Sequence, residues 1–317
     1  MRSALVRSSK FGRRHGFWIA LCLGAALAFA LAAIAVLPRA IEAEALLMAQ
    51  DDPVRLADRA LDRTFNAEVA NGEIEAALAI KDLDLAQSFL DLARDRNLTI
   101  DPALAARVAD ASTPSAAAKR AAGSFAHGLI IGEPEDLAGL AGTTLGDLFV
   151  FGDIRDAVRE GSRMAQGEQV DELILGLAAV GIALTAGTYA SLGAGAPARL
   201  GLSVLKAARK TGRMTAQMGA YLGRTLREVV DWTAMRRAAG SVKLTEPATT
   251  VRAVRQAVKV EKSRDLVRMV SDLGHVQSRA GTQAALDGLR IAQGPRDVAR
   301  IARLADAKGS RTRAIAI

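Results

Sequence analysis

Apolar and polar positions along the chain fall into four textures. Residues 17–37 are apolar or small with no charged side chain. Residues 40–123 alternate short apolar clusters with charges at helical spacing. Between 82 and 96, Leu85, Ala86, Phe89, Leu92 and Ala93 share one face, while Asp91, Arg94 and Asp95 lie off it. Asp52-Pro53 and Asp101-Pro102 each place a capping acid before a proline suited to a first helical turn, and Asn71-Gly72 and Asn97 read as turns. The result resembles stacked helical hairpins in layout, but no repeat of about 34 residues is found, so a small bundle is expected. Residues 111–123 read as a linker. From 125 to 161 glycines punctuate short apolar runs, and 173–196 is again uncharged.

Beyond 199 amphipathic patterns predict helices over 199–239, 251–260, 264–273, 284–292 and 296–307, with breaks at Glu246-Pro247, Gly274, Gly281 and Gly294-Pro295. Apart from Arg313, residues 312–317 are unusually apolar for a chain ending, and no local rule accounts for them. Alternating β-branched runs are scarce and Ala and Leu abundant, so the fold class expected is mainly α.

Two of these textures have membrane lengths, and charge changes what they imply. A helix needs about 20 apolar residues to cross the hydrocarbon core. Residues 1–15 hold five basic side chains (Arg2, Arg7, Lys10, Arg13, Arg14) and no acid. Residues 39–172 carry 13 basic and 25 acidic side chains, whereas 199–317 carry 24 and 9. Basic flanks stay on the cytoplasmic side. The expectation is therefore two transmembrane helices flanking an acidic helical region, followed by a basic helical region. Its parts are a cytoplasmic basic stretch at 1–16, a first span at 17–37, an acidic periplasmic bundle at 38–123 and a Gly-rich membrane-proximal segment at 124–172. A second span or buried apolar hairpin follows at 173–196, and a basic cytoplasmic region at 197–317. The setting expected is a bacterial inner membrane, with both ends of the chain cytoplasmic and residues 38–172 periplasmic. A cleaved signal peptide competes for the first segment, with Ala28-Phe29-Ala30 as a small-x-small site.

Small residues recur every fourth position in both apolar segments. Ala20, Gly24, Ala28 and Ala32 form one stripe, and Ala179, Ala183, Gly187, Ser191 and Gly195 the other. Such stripes let helix backbones approach closely in lipid. Arg13, Arg14, Arg199, Lys206, Arg209, Lys210 and Arg213 flank the segments and are expected to meet anionic headgroups. Partners would be the bilayer and other envelope proteins. Nucleic acid is disfavoured, because no helix-turn-helix spacing, zinc motif or aromatic stacking platform accompanies the basic residues.

Candidate chemistry is sparse. Cys22 is the single cysteine, so neither an internal disulfide nor a cysteine-based zinc site can form. His15, His127 and His275 lie in different segments, and phosphate-binding loop, H-E-x-x-H and G-x-S-x-G patterns are absent. No cofactor is expected. Asp147, Asp153, Asp156 and Glu160 cluster in sequence and could hold a hard cation. Arg155 and Arg159 are interleaved with them, which instead favours an ion-paired helix surface. GDLFVFGDIRDAVREG followed by DELILGLAAVG, within 146–195, resembles the apolar pre-toxin segments of bacterial polymorphic toxins, without a diagnostic motif or a toxin domain after it. The function expected is a non-enzymatic tethered interaction or scaffold protein. Two alternatives remain, a membrane-active toxin-like component and an enzyme or ion-coupled site built on those carboxylates.

Overall fold

The structure, a computed structural model, describes residues 21, 23–34, 36–37, 39, 52–113, 145–188, 196–239 and 247–316. They are mainly α-helical. Among them β-structure is limited to an isolated antiparallel bridge between Val230 and Val258. The chain divides into two units, 1–56 and 57–317. In the first, the described residues between 21 and 37 are helical and exposed.

The acidic region builds α1 (Pro53–Thr64), α2 (Ala67–Ala79), α3 (Leu83–Asp95) and α4 (Pro102–Ala111). Their starts follow local chemistry. Asp52, Asn66, Asp82 and Asp101 each accept a backbone N–H from the first turn. The left-handed residues Lys81 and Asn97 turn the chain after α2 and α3. Asn71-Gly72 is not a turn. Both residues lie within α2, where Asn71 donates to the Ala67 carbonyl and accepts the Asp101 N–H, tying α2 to the start of α4. Ile74, Phe89, Leu92, Leu104 and Val108 form the core of this part, with Phe65 stacked on Phe89 at 6.3 Å. Residues 114–123 of the expected linker lie outside the described residues.

A second apolar core is built from α5 (Leu145–Ala165), α6 (Glu172–Thr188), α7 (Ala196–Lys210), α8 (Ala216–Val229), α9 (Trp232–Ala239), α10 (Pro247–Gln256), α11 (Arg264–Ala280), α12 (Thr282–Ile291) and α13 (Pro295–Lys308). The short α14 (Thr312–Ala316) follows. The breaks expected at Gly281 and Gly294-Pro295 are present. Gly274 instead lies inside α11, because it is a packing point. A Cβ there would overlap the Pro197 carbonyl of α7, and one at Gly201 would overlap the Val270 carbonyl of α11. The two glycines let these helices cross backbone to backbone.

The two-span architecture finds no support in the described residues. Among the described residues no helix is long and apolar enough to cross a membrane. For the second segment the reason is visible. Residues 172–188 form α6, 17 residues whose Ile174, Leu175, Leu177, Ala178, Ala179, Val180 and Ile182 are each at most 2% exposed. Helices α5, α7, α8 and α10 pack against it. A helix apolar on every side needs an apolar surrounding, and here protein supplies it. Asp171 starts the helix by accepting the N–H groups of Leu173 and Ile174.

Candidate functional site

Two polar constellations stand out, and residues distant in sequence make both. The first lies between α5 and α7. Asp153, Asp156 and Glu160 are 7%, 2% and 1% exposed, so the carboxylates expected on a helix surface are interior. The Lys206 ammonium, itself 8% exposed, donates to Asp153 Oδ1 at 2.5 Å and to Asp156 Oδ2 at 3.1 Å. Lys210 Nζ donates to Asp156 Oδ1 at 3.1 Å. Glu160 accepts from Arg159 and Arg163, and from the Asp171 N–H that precedes α6. Gly181 of α6 closes the site, since a Cβ there would overlap the Asp153 carboxylate.

The electrostatics split the two aspartates. Burial pushes the Asp153 carboxyl up to about 6, against the opposing pull of Lys206. Asp156 is also penalised by burial, yet Lys206 and Lys210 together outweigh it and hold its carboxyl below the ordinary value. Burial works against the Lys206 ammonium too, but the paired carboxylates prevail and raise it above an ordinary lysine. The arrangement neutralises charge inside a packed bundle. Among the described residues no group of three or more His, Cys, Asp or Glu side chains converges to hold a metal ion. The Asp147 side chain lies outside the described residues.

The second constellation joins the acidic region to the basic one. Arg313 on α14, 5% exposed, donates through Nη1 and Nη2 to the two oxygens of Asp82, both at 2.6 Å, and through Nε to Asp287 of α12 at 2.8 Å. Arg311 pairs with Asp95. Lys308 donates to Asp58 at 2.6 Å, and Ser310 Oγ to Asp91 at 2.9 Å. Ser88, 2% exposed on α3, donates to the Ser310 carbonyl and accepts the Ala314 N–H. Ala314 enters the α1–α4 core, with Ile315 beside it. Burial is the largest single influence on the Asp82 carboxyl and pushes it up, but the Arg313 hydrogen bonds, the Leu85 N–H and the Arg313 and Arg213 charges together outweigh it and hold the carboxyl below its ordinary value. Beside this contact, Asp91, Arg94, Asp95 and residues 306–311 line an open groove of about 660 Å³.

The residues expected to meet lipid take other partners. Lys206 and Lys210 are committed to the buried aspartates, Arg209 Nε donates to Asp171 at 2.9 Å, and Arg213 donates to Gln283 at 3.0 Å. The Arg199 charge acts on Asp153. Arg13 and Arg14 lie outside the described residues. Of the small stripes, Ala179 is buried and Ala183 packs on the same core, so α6 uses them within its own bundle. Gly187 is the last stripe residue in α6, and Ser191 and Gly195 lie outside the described residues. Gly24, Ala28 and Ala32 are helical and exposed, and Ala20 lies outside.

No sequence-local signal marks the pairing of Arg313 with Asp82, or of Lys206 with Asp153. The apolar character of residues 312–317, which no local rule explains, fits the entry of Ala314 and Ile315 into the α1–α4 core. No protein-family model matches this sequence, and neither the curated proteins nor the solved structures include a match.

Proposed function

We propose that this chain is a non-enzymatic, membrane-tethered interaction protein of a bacterial inner membrane, in which residues 17–37 anchor one helical body. The observation that carries this reading is the exposed apolar surface of the first segment. Leu21, Leu23, Leu27, Phe29, Leu31, Ile34, Val36 and Leu37 are each at least 53% exposed. Such a surface on all sides of a helix is stable in lipid or under protein cover, and costly in water. The 21 uncharged residues of 17–37 have the length of a span, and the basic residues before them favour a cytoplasmic N-terminus.

The body would then lie on the far side of the membrane. Its acidic and basic regions stay together there, because Asp58, Asp82 and Asp95 are bonded to Lys308, Arg313 and Arg311. Alkaline-phosphatase fusions at residues 110 and 245 test this reading. Activity at both sites is expected. Activity at 110 alone would restore the two-span topology, and inactivity at both would overturn export of the body. Deleting residues 1–38 should also move the protein from carbonate-washed membranes into the supernatant.

A further inference from the structure

We propose that the acidic face of α1–α4 is a docking site for a basic segment of a partner protein, and that residues 308–316 fill it in cis. The partner segment would carry two arginines with one residue between them, the second followed directly by a small apolar residue. This rests on the interaction-protein reading and names its surface.

The seated segment shows what the site recognises. Asp95 and Asp82 each take one guanidinium, from Arg311 and Arg313. Bidentate pairing of the kind Asp82 makes selects arginine over lysine. Ser88 engages only backbone, a carbonyl on one side and an N–H on the other, and so fixes the register of the segment without itself reading a side chain. The apolar subsite holds Ala314, which is 7% exposed. Asp287 supplies a third carboxylate from the body.

The same contact is built to open. Helix α14 has five residues and is entered through Gly309, whose φ of +57° suits glycine at a bend. The α1–α4 core is distinct from the larger core and takes only Ala314, with Ile315 packed on it, from this segment. The Asp82, Asp58 and Asp95 side chains stay 27%, 38% and 39% exposed with their partners in place. The open groove between α3 and residues 306–311 leaves room for an incoming chain beside the seated one. Local segments with few buried apolar contacts open without global unfolding.

The test uses the full chain and a fluorescent peptide of residues 306–317 as probe, with binding read by anisotropy. The Arg311→Ala/Arg313→Ala chain, its own segment released, should bind at least tenfold more tightly than wild type. Adding Asp82→Ala should abolish the gain, as should replacing both arginines of the peptide with alanine. Equal binding by wild type and the double variant would overturn the proposal, as would no binding by a double variant with intact circular dichroism. If that variant does not fold, hydrogen exchange on the wild-type chain decides. Amides of 310–316 should exchange at least tenfold faster than those in the middle of α11, and equal rates would overturn the proposal. A wild-type dimer that the double variant dissolves would assign the site to a second copy and overturn the partner reading. A soluble chain that binds the peptide would sink the membrane tether while leaving the docking site intact.

Discussion

Arg313 and Asp82 are 231 positions apart, yet two parallel hydrogen bonds of 2.6 Å join the guanidinium to the carboxylate. That pair closes the basic end of the body onto its acidic beginning. A buried Arg paired in this way gains little over a well-packed apolar residue, but removing one partner leaves the other desolvated and unmatched. The pair therefore specifies the contact more than it strengthens the fold.

The two aspartates of the α5–α7 cluster should respond oppositely to neutralisation. Burial pushes the Asp153 carboxyl up to about 6, which opposes folding once the group is ionised, while Lys206 keeps Asp156 as a partner when Asp153 is neutralised. Asp153→Asn should accordingly be neutral or stabilising at pH 7. Asp156→Asn leaves Lys210 without its carboxylate and Lys206 with one, and should cost about 3 kcal/mol. Urea denaturation at pH 7 checks the order, and a more damaging Asp153→Asn would contradict it.

The pH dependences should also have opposite signs. A raised carboxyl favours folding below its unfolded value and loses that contribution as pH rises. Wild type should thus lose stability relative to Asp153→Asn between about pH 4 and pH 6, then run parallel to it. The Asp82 carboxyl is lowered, so its contribution is present above about pH 4 and disappears as pH falls through its folded value. The advantage of wild type over Asp82→Asn should shrink with acidification. Thermal melts of the three chains across pH 3–7 separate the two cases.

Glycine substitutions should divide by what the new methyl meets. Gly201→Ala and Gly274→Ala each drive a Cβ into a backbone carbonyl, which cannot rotate away, and should cost about 2 kcal/mol or more. Gly219 lies in α8 with open space around it, so Gly219→Ala should stabilise by roughly 0.5–1 kcal/mol through helix propensity. Chemical denaturation of the three variants measures the contrast.

What could be read from the sequence was local. The caps at Asp52 and Asp101 and the apolar face of α3 depend on neighbours within one or two turns, and they appear as expected. Gly274 and Asn71 carry the same local signals as turn residues, and only the helix packed beside each one shows its different use. The uncharged residues of α6 have the composition of a span because a helix enclosed by protein and one enclosed by lipid meet the same demand. Asp156 does pair with the interleaved Arg155 and Arg159, at 4.0 and 3.7 Å, but the Lys206 ammonium that comes closer to Asp153 and Asp156 lies on α7, 53 and 50 residues away. Helical spacing shows a residue's neighbours along one helix and is blind to those across a crossing.

A double-mutant cycle on Asp82 and Arg313 tests most directly that the acidic and basic regions form one body. Stability of wild type, Asp82→Ala, Arg313→Ala and the double variant would be measured by urea denaturation at pH 7. A coupling of about 1.5 kcal/mol or more is expected, because either single change already breaks both hydrogen bonds. Losses that add to within about 0.5 kcal/mol would mean the two side chains do not meet, and would contradict the single body.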